Sequence, residues 1–456
     1  MFKYLSLFLT LAALSLQAQE VNFDLKVSDN HRYLVTEKQK PFFWLGDTAW
    51  LLLKKLNRED AEKYLEDRRK KGFNVIQIMV IHDINEPVNA YGDGAFVNND
   101  PGAPLVTEGN SFEDPEAYDY WDHFDYIIDL ARQKGQFVAL VPIWGSNVKG
   151  GKIPVEKAEV YGTWLAERVK DHKNVIWLNG GDIKGSDQTA FWETLGTALK
   201  KPDPSKLMTF HPFGRHDSST WFHQADWLDF NMFQSGHRRY DQDDSTAFSQ
   251  DNYKYLEIDL GLKPAKPSID GEPSYENIPH GLHDTSQPLW NQHDVRRYAY
   301  WAVFGGAFGH TYGHNSVMQF YNEGDEASYG AKMIWQEALD APGAAQMHFL
   351  KDLMLSNTYL DRVPAQELIA KNQGIKYDYL AGTKSQNYAM VYTFTGRDMD
   401  IRLGLIDGKK VLASWFNPRN GQSTPIGTFK NKGIRTFDPP GQAKDGNDWV
   451  LLLHSK

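Results

Sequence analysis

The sequence predicts a (β/α)8 barrel, in the α/β class, with a C-terminal antiparallel β-sandwich domain. Three observations carry this reading. Between about residues 40 and 345, eight short apolar runs alternate with amphipathic helical segments, the pattern of parallel strands joined by crossover helices. Beyond Pro364 the runs become strand-like and are separated by hairpin signals such as Asp407-Gly408 and Asn420-Gly421. No Gly-x-Gly-x-x-Gly or phosphate-loop motif follows any of the eight runs, which weighs against an open, nucleotide-binding sheet.

The elements follow in order. Lys3 and the apolar stretch 5–16, followed by Ala18, Gln19 and Glu20, read as a cleavable secretory signal over residues 1–19. The mature protein is therefore expected to be exported, to a bacterial periplasm or the cell exterior, with no membrane insertion. Strand-like runs at 21–27 and 33–36 suggest a hairpin ahead of the barrel. The first barrel strand, 42–45, stops at Gly46-Asp47. Asn57 or a neighbour can cap a helix with Ala61, Tyr64, Leu65 and Arg68 on one face, and Gly72 ends it. The second strand, 73–80, is almost continuously apolar, as expected when both faces are covered.

A helix with Trp121, Phe124, Ile128 and Ala131 at helical spacing leads to the third strand, 137–142, and one starting at Pro154 leads to the fourth, 175–178. Strands at 207–210, 227–233, 266–269 and 307–311 complete the eight, with helices around 189–200, 245–260 and 291–304. A helix near 344–360 forms the junction. Strand-like runs at 376–381, 388–394, 399–406, 411–416 and 449–453 then build the sandwich. The expected division is 20–362 for the barrel, with its hairpin and junction helix, and 363–456 for the sandwich.

Composition narrows the function. A formal net charge of −10 disfavours nucleic acid or an anionic membrane as partner, since both select a basic face. The absence of cysteine excludes disulfides, thiolate-bound metals and a cysteine nucleophile. Aromatic residues are 13% of the chain, which suits stacking on sugar rings and equally suits a large core.

A barrel of this kind carries its active site at the C-terminal ends of the strands. The polar and aromatic residues at that rim are Asp47 and Trp50, His82, Trp144, Asp182, His211, Gln234 and His237, Glu272 and Tyr275, and finally His310 and His314. Asp182 follows strand four and Glu272 follows strand seven, across the barrel mouth. Two carboxylates so placed can flank a glycosidic bond, one protonating the leaving oxygen while the other attacks or activates water. The structural alternatives are a helix cap for Asp182 and a surface ion pair for Glu272. The others are candidate substrate-binding residues: Asp47 for hydroxyls or as a helix cap, Trp50 and Trp144 as stacking platforms or rim packing, and the histidines as hydroxyl partners or core residues. The spacing His310-x-x-x-His314 lacks a His-Glu-x-x-His pattern, so neither a metal nor another cofactor is expected.

Five segments in order carry a resemblance: Phe43-Trp44-Leu45-Gly46-Asp47-Thr48-Ala49-Trp50, Phe73-Asn74-Val75-Ile76-Gln77, Val175-Ile176-Trp177-Leu178-Asn179-Gly180-Gly181-Asp182, Asp270-Gly271-Glu272-Pro273 and Gly309-His310-Thr311-Tyr312-Gly313-His314. Together they resemble the apiosidase-like glycoside hydrolases over nearly the whole mature chain. The tail, with Ser414-Trp415-Phe416-Asn417-Pro418-Arg419, is similar to the domain that accompanies that barrel. The resemblance implies cleavage of an apiosyl linkage in rhamnogalacturonan-II side chains of plant pectin. A plant cell-wall oligosaccharide or polysaccharide is then the partner. It implies Asp182 and Glu272 as the catalytic pair and, by position, Glu272 as nucleophile and Asp182 as acid/base of a retaining enzyme. Asn-Gly-Gly-Asp stands where many retaining barrels have Asn-Glu, one methylene longer. The rival readings are another exported glycosidase, arabinofuranosidase or mannanase-like, and a non-catalytic carbohydrate-binding protein.

Overall fold

The computed structural model describes residues 22–243 and 248–456. The expected signal segment, 1–19, lies outside the described residues. Eight strands follow in chain order: β1 Trp44–Thr48, β2 Val75–Met79, β3 Phe137–Val141, β4 Val175–Ile183, β5 Met208–Pro212, β6 Asn231–Gln234, β7 Ser268–Asp270 and β8 Gly309–Tyr312. Each of the eight expected strand positions is occupied. Parallel ladders run β8-β1-β2-β3-β4-β5 and β6-β7. Two contacts close the ring. The Asp229 amide donates to the Met208 carbonyl at 2.8 Å, and the Phe308 amide donates to the Ser268 carbonyl at 3.2 Å.

The helices pack outside as the periodicity requires. Arg58–Lys70 buries Ala61, Tyr64, Leu65 and Arg68, and the Asn57 side chain accepts from the Asp60 amide as its cap. Trp121, Phe124, Ile128 and Ala131 are buried on Tyr120–Gln133. The helix expected at 245–260 is confined to Tyr253–Asp259. Of its expected first turns, 245–247 lie outside the described residues and 248–252 are not helical.

The N-terminal end of the barrel is covered. Strands Leu25–Val27, Leu34–Thr36 and Pro41–Phe42 form a small antiparallel sheet, and Phe23 and Phe42 set their rings 5.0 and 5.4 Å from Phe137, the first residue of β3. The opposite rim carries the long loops.

The second unit contains β9 Leu380–Lys384, β10 Tyr388–Thr393, β11 Met399–Leu403, β12 Lys410–Phe416, β13 Ser423–Lys430, β14 Gly433–Phe437 and β15 Trp449–Ser455. One sheet runs Val363–Pro364, β9, β10, β15, β12, β13, and the other runs Ile369–Lys371, β11, β14, all antiparallel. Leu380, Val391, Ile401, Val411, Leu451 and Phe437 lie in the core between them. Two of these strands, β13 and β14, have no counterpart in the sequence expectation. They are mostly exposed, and β13 contains Pro425 and Gly427, so alternation is absent. Proline is tolerated because β13 is an edge strand, with a register shift opposite Ala413/Ser414.

The two units are bound directly. Arg296, on helix Gln292–Phe304, grips Asp448 through Nε and Nη2, both at 2.8 Å, in a fully buried fork. Tyr253 stacks on Tyr379 at 3.8 Å and Tyr300 on Tyr392 at 4.8 Å. Junction helix Pro342–Leu355 buries Leu350 and Leu353, while Leu355 is exposed.

Candidate active site

Strand β4 begins as a regular parallel strand and ends in a bulge. Gly180 pairs with His211 of β5, and the next partners are Ile183 and Pro212. The displaced residues Gly181 and Asp182 both have positive φ, +107° and +49°. At Gly181 a Cβ would stand 2.6 Å from the Trp144 ring, so the close approach needs glycine. The bulge aims the Asp182 carboxyl into the rim, where Oδ1 accepts the Gly214 amide at 3.3 Å.

Glu272 is reached differently. Beneath it, the Asp270 side chain accepts from Ser235 Oγ at 2.6 Å and from Asn252 Nδ2 at 3.0 Å, joining β6 to β7. Gly271 follows, packed against Met232, and the Glu272 carbonyl accepts the Gly236 amide at 3.0 Å. The Glu272 side chain is then fixed by two histidines. His237 Nε2 lies 3.1 Å from Oε1 in a hydrogen bond. His211 Nε2 lies 3.3 Å from Oε2, a close polar contact outside hydrogen-bond geometry.

Both imidazoles are oriented from behind. His211 Nδ1 accepts the Asp182 amide and His237 Nδ1 accepts the Tyr275 amide, each at 3.4 Å. With Nδ1 occupied as acceptor, the neutral ring carries its proton on Nε2 and turns it toward Glu272.

The two carboxyls therefore differ. Burial raises Asp182, and the charge of Glu272 raises it further, to about 6. Burial would also raise Glu272, but the imidazoles of His211 and His237 set against its two oxygens outweigh it and hold it at about 2. Two acids with opposed shifts in one cleft are the arrangement that acid/base catalysis requires.

Asp182 and Glu272 share a cavity of about 300 Å³. The structure brings Trp50, His82, Trp144, Gln234, His237 and Tyr275 to its wall. Trp50 and Trp144 stand 5.3 Å apart, and Trp50 Nε1 donates to Tyr275 Oη at 3.0 Å. Gln234 turns in a buried Oε1 that has no hydrogen-bond partner among the described residues. His211 is fully buried behind the wall and acts on Glu272 from there.

Besides His211, two more of the expected substrate-binding residues stand apart from the cavity. Asp47 is fully buried on β1 and faces the surrounding helices. Its Oδ2 accepts from Tyr64 Oη and Arg68 Nε, both at 2.6 Å, so it neither meets solvent hydroxyls nor caps a helix. His314 is buried and caps helix Asn315–Met318 by accepting the Ser316 amide, while Nε2 engages Asn277. His310 is buried with no hydrogen-bond partner among the described residues, and burial lowers it to about 3. Among the described residues, no three His, Asp or Glu side chains form a metal-holding group.

Sequence reasoning missed other wall residues, among them Met79, Arg215, Arg238, His283 and Tyr329. The signal available for Tyr329 was its place in the loop after strand eight, at the catalytic end of the barrel.

Comparisons with known proteins place the whole chain in a family. Residues 28–361 match the family model described as Apiosidase-like, catalytic domain, and residues 363–454 match a model named for a collagen-binding domain of a collagenase. The chain is 46% identical to a solved glycoside hydrolase, over 95% of this chain and 97% of that one, with a TM-score of 0.89. It is 44% identical to a crystal structure of a glycoside hydrolase family 5 protein from Bacteroides vulgatus ATCC 8482, over 95% and 93% of the two chains, also at 0.89. No curated protein matches it. A barrel that holds two carboxyls of opposed acidity in one cleft, matched over this length, belongs to the apiosidase-like family of glycoside hydrolases.

Proposed function

We propose that this glycoside hydrolase cleaves an apiosyl linkage in rhamnogalacturonan-II side chains of plant pectin, with retention of configuration. The observation that carries the mechanism is the contrast between Asp182, raised to about 6, and Glu272, held at about 2. Between about pH 2 and 6 Glu272 is ionised and can attack the anomeric carbon, while Asp182 holds its proton and delivers it to the departing oxygen. The glycosidic C–O bond breaks as the Glu272 ester forms. Water then attacks the same carbon, Asp182 takes its proton, and the ester opens. Trp50, Trp144 and Tyr275 supply faces for stacking, and Gln234 Oε1 offers an acceptor for a sugar hydroxyl. The apiosyl substrate is supported by the family match over 28–361.

The test is incubation with a library of pectic oligosaccharides, with product masses and the first-formed anomer read by proton NMR. Release of apiose with retained configuration supports the reading. Release of arabinose or mannose instead would move the substrate to another glycoside, and an inverted product would make Glu272 a base. Export is part of the proposal, on the strength of Lys3 and the apolar stretch 5–16. Protein recovered from cells should begin near residue 19 or 20, and an intact Met1 would refute it.

A further inference from the structure

Four non-glycine residues in the cavity wall have positive φ: Asp182 at +49°, Arg215 at +65°, Leu282 at +79° and Tyr329 at +51°. For a bulky aromatic residue this backbone is strained, and such strain persists only where the surroundings hold it. Around Tyr329 they do. Gln319 Oε1 accepts the Ser328 amide at 2.9 Å, and Gln319 Nε2 donates to the Ser328 carbonyl at 3.0 Å. Asn315 Nδ2 donates to the Tyr329 carbonyl at 3.0 Å and is itself engaged with Asn277. Gln319 also donates to Asn315, so the two amides form one clasp.

The clasp holds a half-buried ring whose hydroxyl, among the described residues, has no hydrogen-bond partner. The ring lies 5.8 Å from His283, and both line the cavity. Burial raises the phenol, and the charges of both Glu272 and Asp182 raise it further, so it keeps its proton and lies within electrostatic reach of both carboxyls.

We propose that Tyr329 is a further catalytic residue, donating its phenol O–H to an oxygen of the sugar held between Asp182 and Glu272, with Asn315 and Gln319 as its positioning residues. At the departing glycosidic oxygen, which gains negative charge as its C–O bond breaks, such a donor strengthens and so favours the transition state over the bound ground state. This rests on the cavity being the hydrolytic site proposed above, but not on the sugar being apiose.

The experiment compares wild type with Tyr329→Phe on whichever glycoside the wild type hydrolyses. Phenylalanine keeps the ring and the clasp and removes only the O–H. The expected result is a fall in kcat of about 10- to 100-fold, with KM and the melting temperature nearly unchanged. Gln319→Ala, which opens the clasp, should lower kcat in the same direction, and adding Tyr329→Phe to it should cost little more. A Tyr329→Phe enzyme with wild-type kcat would overturn the proposal. So would a variant that only displaces the limbs of the pH profile while reaching the wild-type maximum. If the wild type hydrolyses a sugar other than apiose, the apiosyl reading fails while the kcat ratio still decides the role of Tyr329.

Discussion

His211 touches both acidic residues of the cavity: Nδ1 accepts the Asp182 backbone amide at 3.4 Å, and Nε2 stands 3.3 Å from Glu272 Oε2. One ring therefore ties the bulge on β4 to the end of β7. It helps to hold Glu272 ionised, and that charge in turn helps Asp182 keep its proton.

The two carboxyls should affect stability in opposite directions. Asp182 titrates at about 6 in the fold, above an unfolded carboxyl. Its contribution favours folding below about pH 4 and is lost as pH rises through 6. At pH 7 Asp182→Asn should therefore raise stability, on the order of 1–3 kcal/mol, while lowering kcat about 10²- to 10⁴-fold. Glu272 titrates at about 2, so its contribution is present above about pH 4 and lost as pH falls through 2. Glu272→Gln should lower stability at pH 7 and abolish turnover. Thermal melts of both variants at pH 4 and pH 7 check the signs.

The pH profile of kcat/KM should fall on the alkaline side near pH 6, where Asp182 loses its proton. His237→Ala removes the 3.1 Å hydrogen bond to Glu272, so the acid limb should move upward from about 2. An unmoved acid limb in the variant would show that His237 does not set the acidity of Glu272.

Gly181→Ala should destabilise the protein by about 1–3 kcal/mol or more, because φ is +107° and the new Cβ would meet the Trp144 ring at 2.6 Å. Activity should fall further than stability explains, since the same bulge aims Asp182. Denaturant unfolding and kcat, measured on the same preparation, separate the two effects.

The sandwich should be inseparable from the barrel. Asp448→Ala leaves Arg296 buried and unpaired, which should cost about 3–5 kcal/mol. A chain ending at Arg362 would also uncover Tyr253 and Tyr300, now stacked on Tyr379 and Tyr392, and should be poorly soluble. A soluble, fully active truncated chain would refute the coupling.

Much of the site was legible because the barrel rule converts a strand end into a location. Asp182, Glu272, Trp50, Trp144, Gln234, His237 and Tyr275 follow apolar runs, and all reach one cavity. Asp47 and His314 meet the same positional rule but turn away. Whether a residue at a strand end faces the cavity or the helices depends on the strand's roll and on its neighbours. For Asp47 the deciding neighbours are Tyr64 and Arg68, and their approach belongs to helix packing. The strands at 423–430 and 433–437 were hidden for a related reason: exposed edge strands need no apolar alternation.

The sequence by itself determined the order of strands and helices in the barrel, the change of architecture near Pro364 and the two carboxyls worth testing. These follow from local periodicity, turn chemistry and residue type, all of which act over a few neighbouring positions. Only the tertiary structure decided which carboxyl keeps its proton. That depends on burial and on the placing of His211 and His237 against Glu272, residues brought together from β5, β6 and β7. Likewise, only the tertiary structure set Tyr329 beside them, because its conformation is imposed by Asn315 and Gln319 across a loop rather than by its own preference.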